Sequence, residues 1–204
     1  MKQYKNIIFD FGGVILNIDY KLTESAFAKL GLVNFDAIYS KAAQTNLFDA
    51  FERGMMKPED FRKEIRKYIS NDASDSQIDY AWNSMLLDLP IERINFISSL
   101  KKNHIVFLLS NTNEIHFNTF SVYLQKEFGR NVFADEFHKT YFSHKVKMRK
   151  PDAEIFELVL KENNLKKEET FFIDDSIQHI EGARKIGINA HHLQKHESII
   201  DLYK

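Results

Sequence analysis

The chain has 204 residues, no cysteine, and 28 basic against 29 acidic side chains, which gives a formal net charge of −1. The absence of cysteine excludes a disulfide scaffold, a thiolate zinc site and a cysteine nucleophile. The balanced charge offers no basic patch for nucleic acid or for an anionic membrane, and no apolar run approaches the ~20 residues of a membrane span, so we expect a cytoplasmic protein without either partner.

The first predicted element is a short buried strand over residues 6–11, rich in β-branched and aromatic side chains, which ends at the Gly12-Gly13 pair. A block with helical patterning follows over about residues 20–87. One of its predicted helices has Pro58 in its first turn, where proline is tolerated. The apolar face of that helix is predicted to comprise Phe61, Ile65, Tyr68 and Ile69.

Helices and strands alternate after Pro90. The expected elements are, in chain order, a helix over 91–102, a strand over 104–109, a helix from Glu114 with Asn113 as its N-cap, a weak strand over 140–142, a helix after Pro151, a strand over 170–173, a helix over 177–186 and a strand over 188–192. Such alternation predicts an α/β fold, a doubly wound, Rossmann-like parallel sheet. The helical block is an insertion after its first strand.

Polar residues occupy the predicted carboxyl ends of the strands and the loops beside them, where ligands bind in such sheets. They are Asp10, Ser110, Asn111, Lys150, Asp174 and Asp175. Separated carboxylates and a backbone carbonyl can hold Mg²⁺, while hydroxyl and amide groups near a helix N-terminus can bind phosphate oxygens. Lysine adds a fixed positive charge. Because positioning and charge neutralisation are most of what phosphoryl transfer requires, the set predicts that chemistry.

The order of these residues resembles the haloacid dehalogenase (HAD) superfamily. Its four motifs correspond to Asp10-Phe11-Gly12-Gly13-Val14, Ser110-Asn111, Lys150-Pro151 and Asp174-Asp175. The resemblance implies an α/β core over residues 1–17 and 90–204 and an all-helical cap over 18–89. The segments 51–54 and 58–61 resemble the cap of the subgroup that contains bacterial α-D-glucose-1-phosphatases and the phosphatase domain of epoxide hydrolases. Residues 110–116 and 148–151 point to the glucose-1-phosphatases.

The resemblance implies a role for each matching residue. Asp10 would be the nucleophile that forms an aspartyl-phosphate, and Lys150 would pair with it and with the phosphate. Ser110 and Asn111 would bind the phosphoryl group. The Mg²⁺ cofactor would be held by Asp10, Asp175 and the Gly12 carbonyl, with Asp174 as a ligand or a support for the ligands.

One position departs from the family's pattern. HAD phosphatases usually carry a second aspartate two residues after the nucleophile, as a general acid and base, and this chain has Gly12 there. The backbone carbonyl remains, but the acid is missing, and such groups typically contribute 10²–10⁴-fold. Glucose-1-phosphatase-like members also carry glycine, so we expect a Mg²⁺-dependent phosphatase of a small phosphomonoester, a sugar phosphate such as glucose 1-phosphate.

Further candidates are weaker. His116 and Arg149 are possible contacts of substrate or phosphate, and Phe48, Phe51 and Arg53 are possible specificity residues of the cap. Two alternative functions stay open. One is a catalytically weak or inactive HAD-like protein that binds sugar phosphates. The other is a metal-independent dehalogenase, although two adjacent aspartates favour a metal site.

Overall fold

A five-stranded parallel sheet forms the centre of the computed structural model, which describes residues 1–32, 47–69 and 72–203. The strand order is β3-β2-β1-β4-β5, and all four neighbouring pairs are parallel. The strands are β1 (Asn6–Phe9), β2 (Ile105–Ser110), β3 (Lys139–Phe142), β4 (Thr170–Asp174) and β5 (Asn189–His192). This is the sheet that the sequence predicts, and it places β1 between β2 and β4.

Five described helices lie between β1 and β2 in the chain. They are α1 (Tyr20–Lys29), α2 (Leu47–Glu52), α3 (Pro58–Arg66), α4 (Asp75–Asn83) and α5 (Ile91–Leu100). The later helices are α6 (Glu114–Phe128), α7 (Val132–Glu136), α8 (Ser143–Val146), α9 (Ala153–Glu162) and α10 (Ile177–Lys185), with short 3₁₀ turns at Lys167–Glu169 and Asp201–Tyr203. None of the helices in the described ranges is both long enough and apolar enough to cross a membrane.

The apolar side chains of β1 alternate between the two faces of the sheet, as the period of a strand requires. Ile7 and Phe9 join a cluster that includes residues of α5 and α6, whereas Ile8 joins a cluster with α9 and α10. A third cluster is built mainly from α1 to α4, and its members include Phe27, Phe61 and Trp82. The helices inserted after β1 therefore have an apolar centre of their own, and their division from the sheet as a separate cap stays a prediction.

Two sequence-based boundaries are settled by backbone hydrogen bonds. Asn113 caps α6 as predicted, because its Oδ1 accepts a hydrogen bond from the His116 N–H at 3.0 Å. The prediction that the α3 face continues over Tyr68 and Ile69 is wrong. The helix ends at Arg66, and the next two N–H groups bond to carbonyls three residues back, so the chain turns before these residues. The predicted helical block also includes 33–46 and 70–71, which lie outside the described residues.

Candidate active site

Two neighbouring strands bring Asp10 and Asp174 together. Asp10 directly follows β1 and Asp174 ends β4, and the Asp10 N–H donates to the carbonyl of Ile173 at 2.9 Å. Asp175 comes next in the chain. Each of the three aspartates offers one carboxylate oxygen, and these oxygens lie within 4.8 Å of one another. The predicted meeting of the first and last motifs at one edge of the sheet is therefore what the structure shows.

Lys150 inserts its side chain between two of these carboxylates. Its Nζ donates to Asp10 Oδ1 and to Asp174 Oδ2, both at 2.6 Å, and the residue is completely buried. The backbone of Lys150 is held by Asn111, whose Oδ1 accepts from the Lys150 N–H and whose Nδ2 donates to the Lys150 carbonyl, both at 2.9 Å. The Lys150-Pro151 peptide bond is cis. Asn111 thus positions the lysine, while its predicted contact with phosphate stays a prediction.

The electrostatics of this cluster are unbalanced, because one lysine faces three carboxylates. Burial, together with the negative charges of Asp174 and Asp175, raises the pKa of Asp10 to about 8 against the opposing effect of Lys150. For Asp174, burial is outweighed by Lys150 and His179, which lower its pKa. Burial and Asp174 also raise the pKa of Asp175. A divalent cation would supply the missing positive charge.

The donor set fits Mg²⁺, a hard ion that takes oxygen ligands. Both oxygens of Asp174 are already engaged, Oδ2 by Lys150 and Oδ1 by the Ser176 N–H at 2.8 Å, with His179 Nδ1 about 3 Å from each. Asp174 therefore suits a supporting role. Asp10, Asp175 and the Gly12 carbonyl are the groups that could hold the ion, and all three residues line the same cavity.

The two glycines after the first motif serve different purposes. Gly13 has φ +77°, and a Cβ atom there would collide with the Asp175 carboxylate, so only glycine lets the backbone approach the candidate metal site this closely. Gly12 is different, because a Cβ there would first meet the Ile18 side chain at 3.5 Å, an ordinary contact. A methyl-sized side chain therefore fits at Gly12, in contrast to Gly13.

A cavity of about 530 Å³ opens from this edge of the sheet towards the inserted helices. The buried Ser110 lines it, as do the candidate specificity residue Phe48 and Trp82. Two other candidates of the cap do not line it. Phe51 is buried in the third apolar cluster, and Arg53 forms ion pairs with acidic residues of α2 and of the loop before α9.

His116 is a buried wall of the cavity, not a surface histidine. Burial lowers its pKa to about 3, so the ring is neutral near pH 7. Its Nδ1 lies 2.8 Å from Asn83 Oδ1, and the ring stacks on Trp82 with centroids 5.0 Å apart. Because Asn83 Oδ1 can only accept, the proton is assigned to Nδ1 and Nε2 is left as an acceptor.

Arg149 also lines the cavity, where it meets α2. Its guanidinium forms ion pairs with Asp49 at 3.0 Å and with Glu52 Oε2 at 2.9 Å. Glu52 and His179 are two cavity residues that were not among the predicted site residues. His179 follows the fourth motif by four residues, one turn into α10, and that spacing is the signal that could have identified it.

Comparisons with known proteins agree with this geometry. A model of the haloacid dehalogenase-like hydrolases matches residues 4–187. A D-ribitol-5-phosphate phosphatase of Bacteroides thetaiotaomicron is 32% identical over 90% of this chain and 88% of its own length. A HAD family enzyme of the same species, solved in complex with magnesium and inorganic phosphate, is 36% identical with a TM-score of 0.85, over 98% of this chain and 100% of its own.

A third relative is a predicted HAD-like hydrolase from Porphyromonas gingivalis, which is 28% identical with a TM-score of 0.86, over 98% of this chain and 96% of its own. The family that the four motifs suggested is thereby confirmed, as are the predicted fold class and the prediction that the protein is an enzyme. The chain belongs to the haloacid dehalogenase-like hydrolase family.

Proposed function

We propose that this protein is a Mg²⁺-dependent phosphatase that hydrolyses a small phosphorylated polyol or sugar through an aspartyl-phosphate on Asp10. One observation carries the proposal. Lys150 joins Asp10 and Asp174 at 2.6 Å, Asp175 lies beside them, and the cluster opens into a cavity large enough for such a substrate.

The chain's own residues supply the steps. The Asp10 carboxylate attacks phosphorus, and the bond from phosphorus to the alcohol oxygen breaks. Water then attacks the aspartyl-phosphate, which releases inorganic phosphate and restores the carboxylate. Lys150 holds Asp10 Oδ1 and brings positive charge towards the phosphoryl group, which Ser110 and the N-terminal end of α6 would bind. A bound Mg²⁺ would neutralise charge on the phosphoryl group and on Asp10.

The substrate class rests on the cavity and on a relative. The cavity combines the aromatic side chains of Phe48 and Trp82 with polar groups such as His116 Nε2, a mixture that suits a chain of hydroxyl-bearing carbons. D-ribitol 5-phosphate, named for the Bacteroides relative, is thus the first substrate to test, with glucose 1-phosphate, which the sequence suggested, as the second. In this proposal the helices within residues 18–89 act as the cap that covers the substrate.

The same cluster supports a phosphatase over the two alternatives. A metal-independent dehalogenase has no use for three carboxylates whose oxygens lie within 4.8 Å of one another. A binding protein without activity has no use for a nucleophile that a buried lysine orients.

The test measures phosphate release from D-ribitol 5-phosphate, glucose 1-phosphate and a wider panel of phosphomonoesters. We expect release by the wild type that EDTA abolishes and that excess Mg²⁺ restores. Asp10→Asn should lose it, whereas Asp60→Asn, on the exposed face of α3, should keep it. No release from any phosphoester by the folded wild type with Mg²⁺ would contradict the proposal.

A further inference from the structure

The position of Gly12 leaves the proposed reaction without an obvious proton donor. An alkyl phosphate loses an alkoxide unless an acid protonates the leaving oxygen, so hydrolysis near pH 7 needs a donor within reach of that oxygen. Such a donor must line the cavity of Asp10. The titratable side chains on the described wall that are neither the nucleophile nor candidate metal ligands are Tyr20, Lys21, Glu24, Glu52, His116, Arg149 and His179.

Most of these groups are poor donors. Tyr20, Lys21 and Glu24 are exposed to solvent. His116 is neutral, and its one ring proton is used by Asn83. His179 is held at Nδ1 by the Asp174 carboxylate, and its Nε2 lies 3.5 Å from Asn111 Nδ2, an amide donor, so Nε2 is assigned as an acceptor.

The remaining carboxyl belongs to Glu52, the last residue of α2. We propose that Glu52 is the acid and base of the reaction, a role that a side chain of the inserted helices takes over from the empty position at Gly12. Its Oε2 is buried and makes no hydrogen bond within the described residues, although Arg149 Nη2 lies 2.9 Å away. Glu52 is also one of the residues that line the cavity, so its side chain lies at the wall that a bound substrate would contact.

The surroundings of Glu52 act on its pKa in opposite directions, and the net effect raises it. Burial raises its pKa, and Asp49 on the same helix raises it too, while Arg149, Lys150 and Arg53 lower it. A phosphorylated substrate would add negative charge to the same cavity and so raise the pKa of Glu52 further. Arg149 stabilises the carboxylate once the proton has left.

Glu52 gives up one proton in the first step and regains one in the second. As Asp10 forms its bond to phosphorus and the ester bond breaks, the electron pair of that bond goes to the leaving oxygen, which takes the proton from Glu52. In the second step the Glu52 carboxylate accepts a proton from the attacking water. The bond between phosphorus and Asp10 then breaks, and both side chains return to their starting states.

This inference rests on the proposed function, and its test separates the two. Glu52→Gln is compared with the wild type on three esters. The leaving group of p-nitrophenyl phosphate needs no proton near pH 7. The leaving groups of phenyl phosphate and D-ribitol 5-phosphate depend increasingly on protonation. We expect kcat/KM of Glu52→Gln to fall less than about threefold on the first and about 10²-fold or more on the last.

Phenyl and p-nitrophenyl phosphate both lack sugar hydroxyls, so a larger loss on phenyl phosphate reports proton transfer and not hydroxyl binding. Glu59→Gln, an exposed glutamate of α3, is the matched control and should behave as the wild type. Glu52→Asp keeps an acid and should show a weaker dependence on the leaving group, which also covers the case in which Glu52→Gln does not fold.

Equal losses on all three esters, or no loss on any, would overturn the assignment of Glu52 while leaving the phosphatase in place. A rise in KM at unchanged kcat, seen only with D-ribitol 5-phosphate, would make Glu52 a hydroxyl-binding residue and would also overturn it. A wild type that hydrolyses none of the esters would instead contradict the proposed function.

Discussion

The Nζ atom of Lys150 lies 2.6 Å from Oδ1 of Asp10, across 140 positions of sequence, and Lys150 is completely buried. A buried charge is stable only when it is paired and hydrogen-bonded, and Lys150 gains its second bond from Asp174. The pairing therefore has two parts with different purposes. The bond to Asp174 stabilises the buried lysine, and in the proposed mechanism the bond to Asp10 orients the nucleophile.

This division predicts opposite stability effects for two aspartate variants. Asp174→Asn removes the carboxylate that His179 contacts and leaves Lys150 with Asp10 alone, so it should lower the free energy of unfolding by about 3 kcal/mol, the scale for breaking a buried ion pair. Asp10→Asn removes one charge from a crowded set and leaves Lys150 paired, so the metal-free variant should be at least as stable as the wild type. Urea unfolding at pH 8 measures both. An equal loss in the free energy of unfolding for both variants would contradict the different roles of the two bonds to Lys150.

The two glycines give a second prediction. Gly13→Ala forces a side chain into a left-handed backbone and against the Asp175 carboxylate, so it should cost about 1–3 kcal/mol of stability and abolish Mg²⁺ binding measured by calorimetry. Gly12→Ala is the matched control. Its Cβ would only touch Ile18 at 3.5 Å, so stability should stay within about 1 kcal/mol of the wild type and Mg²⁺ should still bind. Similar damage from both would show that the space at Gly12 is needed.

Magnesium affinity should depend on pH through Asp10. Because the pKa of Asp10 is raised to about 8, Asp10 holds a proton below that pH in the metal-free protein. Mg²⁺ must displace this proton when it binds. If one proton is displaced, affinity should weaken by about tenfold for each pH unit between 8 and 6 and level off above 8. The folded protein keeps the Asp10 proton up to about pH 8, whereas the unfolded chain loses it near pH 4. The metal-free protein should therefore lose stability as pH rises from about 4 towards 8. Calorimetry in buffers of different ionisation enthalpy measures how many protons are released when Mg²⁺ binds. An affinity for Mg²⁺ that does not depend on pH would contradict the prediction.

His116 should contribute to acid sensitivity. Its pKa is lowered from 6.5 to about 3 by burial, so the unfolded chain binds a proton below pH 6.5 that the folded chain does not bind. Stability should therefore fall as pH drops from 6.5 towards 3, by up to about 1.4 kcal/mol per pH unit for this one group. His116→Asn should flatten that slope, and the exposed His196→Asn should not change it. An unchanged slope in His116→Asn would contradict a buried neutral ring.

Much of the site could be predicted from the sequence because it follows strand ends. Asp10 and the Asp174-Asp175 pair end segments whose apolar pattern is clear, and parallel strands bring their carboxyl ends to one edge, whereas Lys150 was identified from the Lys150-Pro151 motif. The sequence also showed that the acid was missing at Gly12. It could not show that a Cβ atom fits at Gly12 but not at Gly13, because that depends on the distances to Ile18 and Asp175 in the folded chain.

The inserted helices were harder to interpret. Glu52 ends a helix of only six residues, too short for its apolar spacing to define which side chains face the cavity. The end of α3 was placed too late for a related reason, since Ile69 is buried although it lies beyond the helix. The positions of Asn111 and His179 depend on contacts with Lys150 and Asp174, which only the assembled sheet creates.

Asp10 should carry the phosphoryl group during turnover, and a rapid acid quench can capture it there. Wild-type enzyme mixed with Mg²⁺ and D-ribitol 5-phosphate, or the best substrate of the panel, is quenched, digested and analysed by mass spectrometry. We predict a phosphorylated peptide with the modification on Asp10, absent in Asp10→Asn and in EDTA. Steady release of phosphate with no phosphorylated Asp10 in the quenched wild type, or release that persists in Asp10→Asn, would contradict the account.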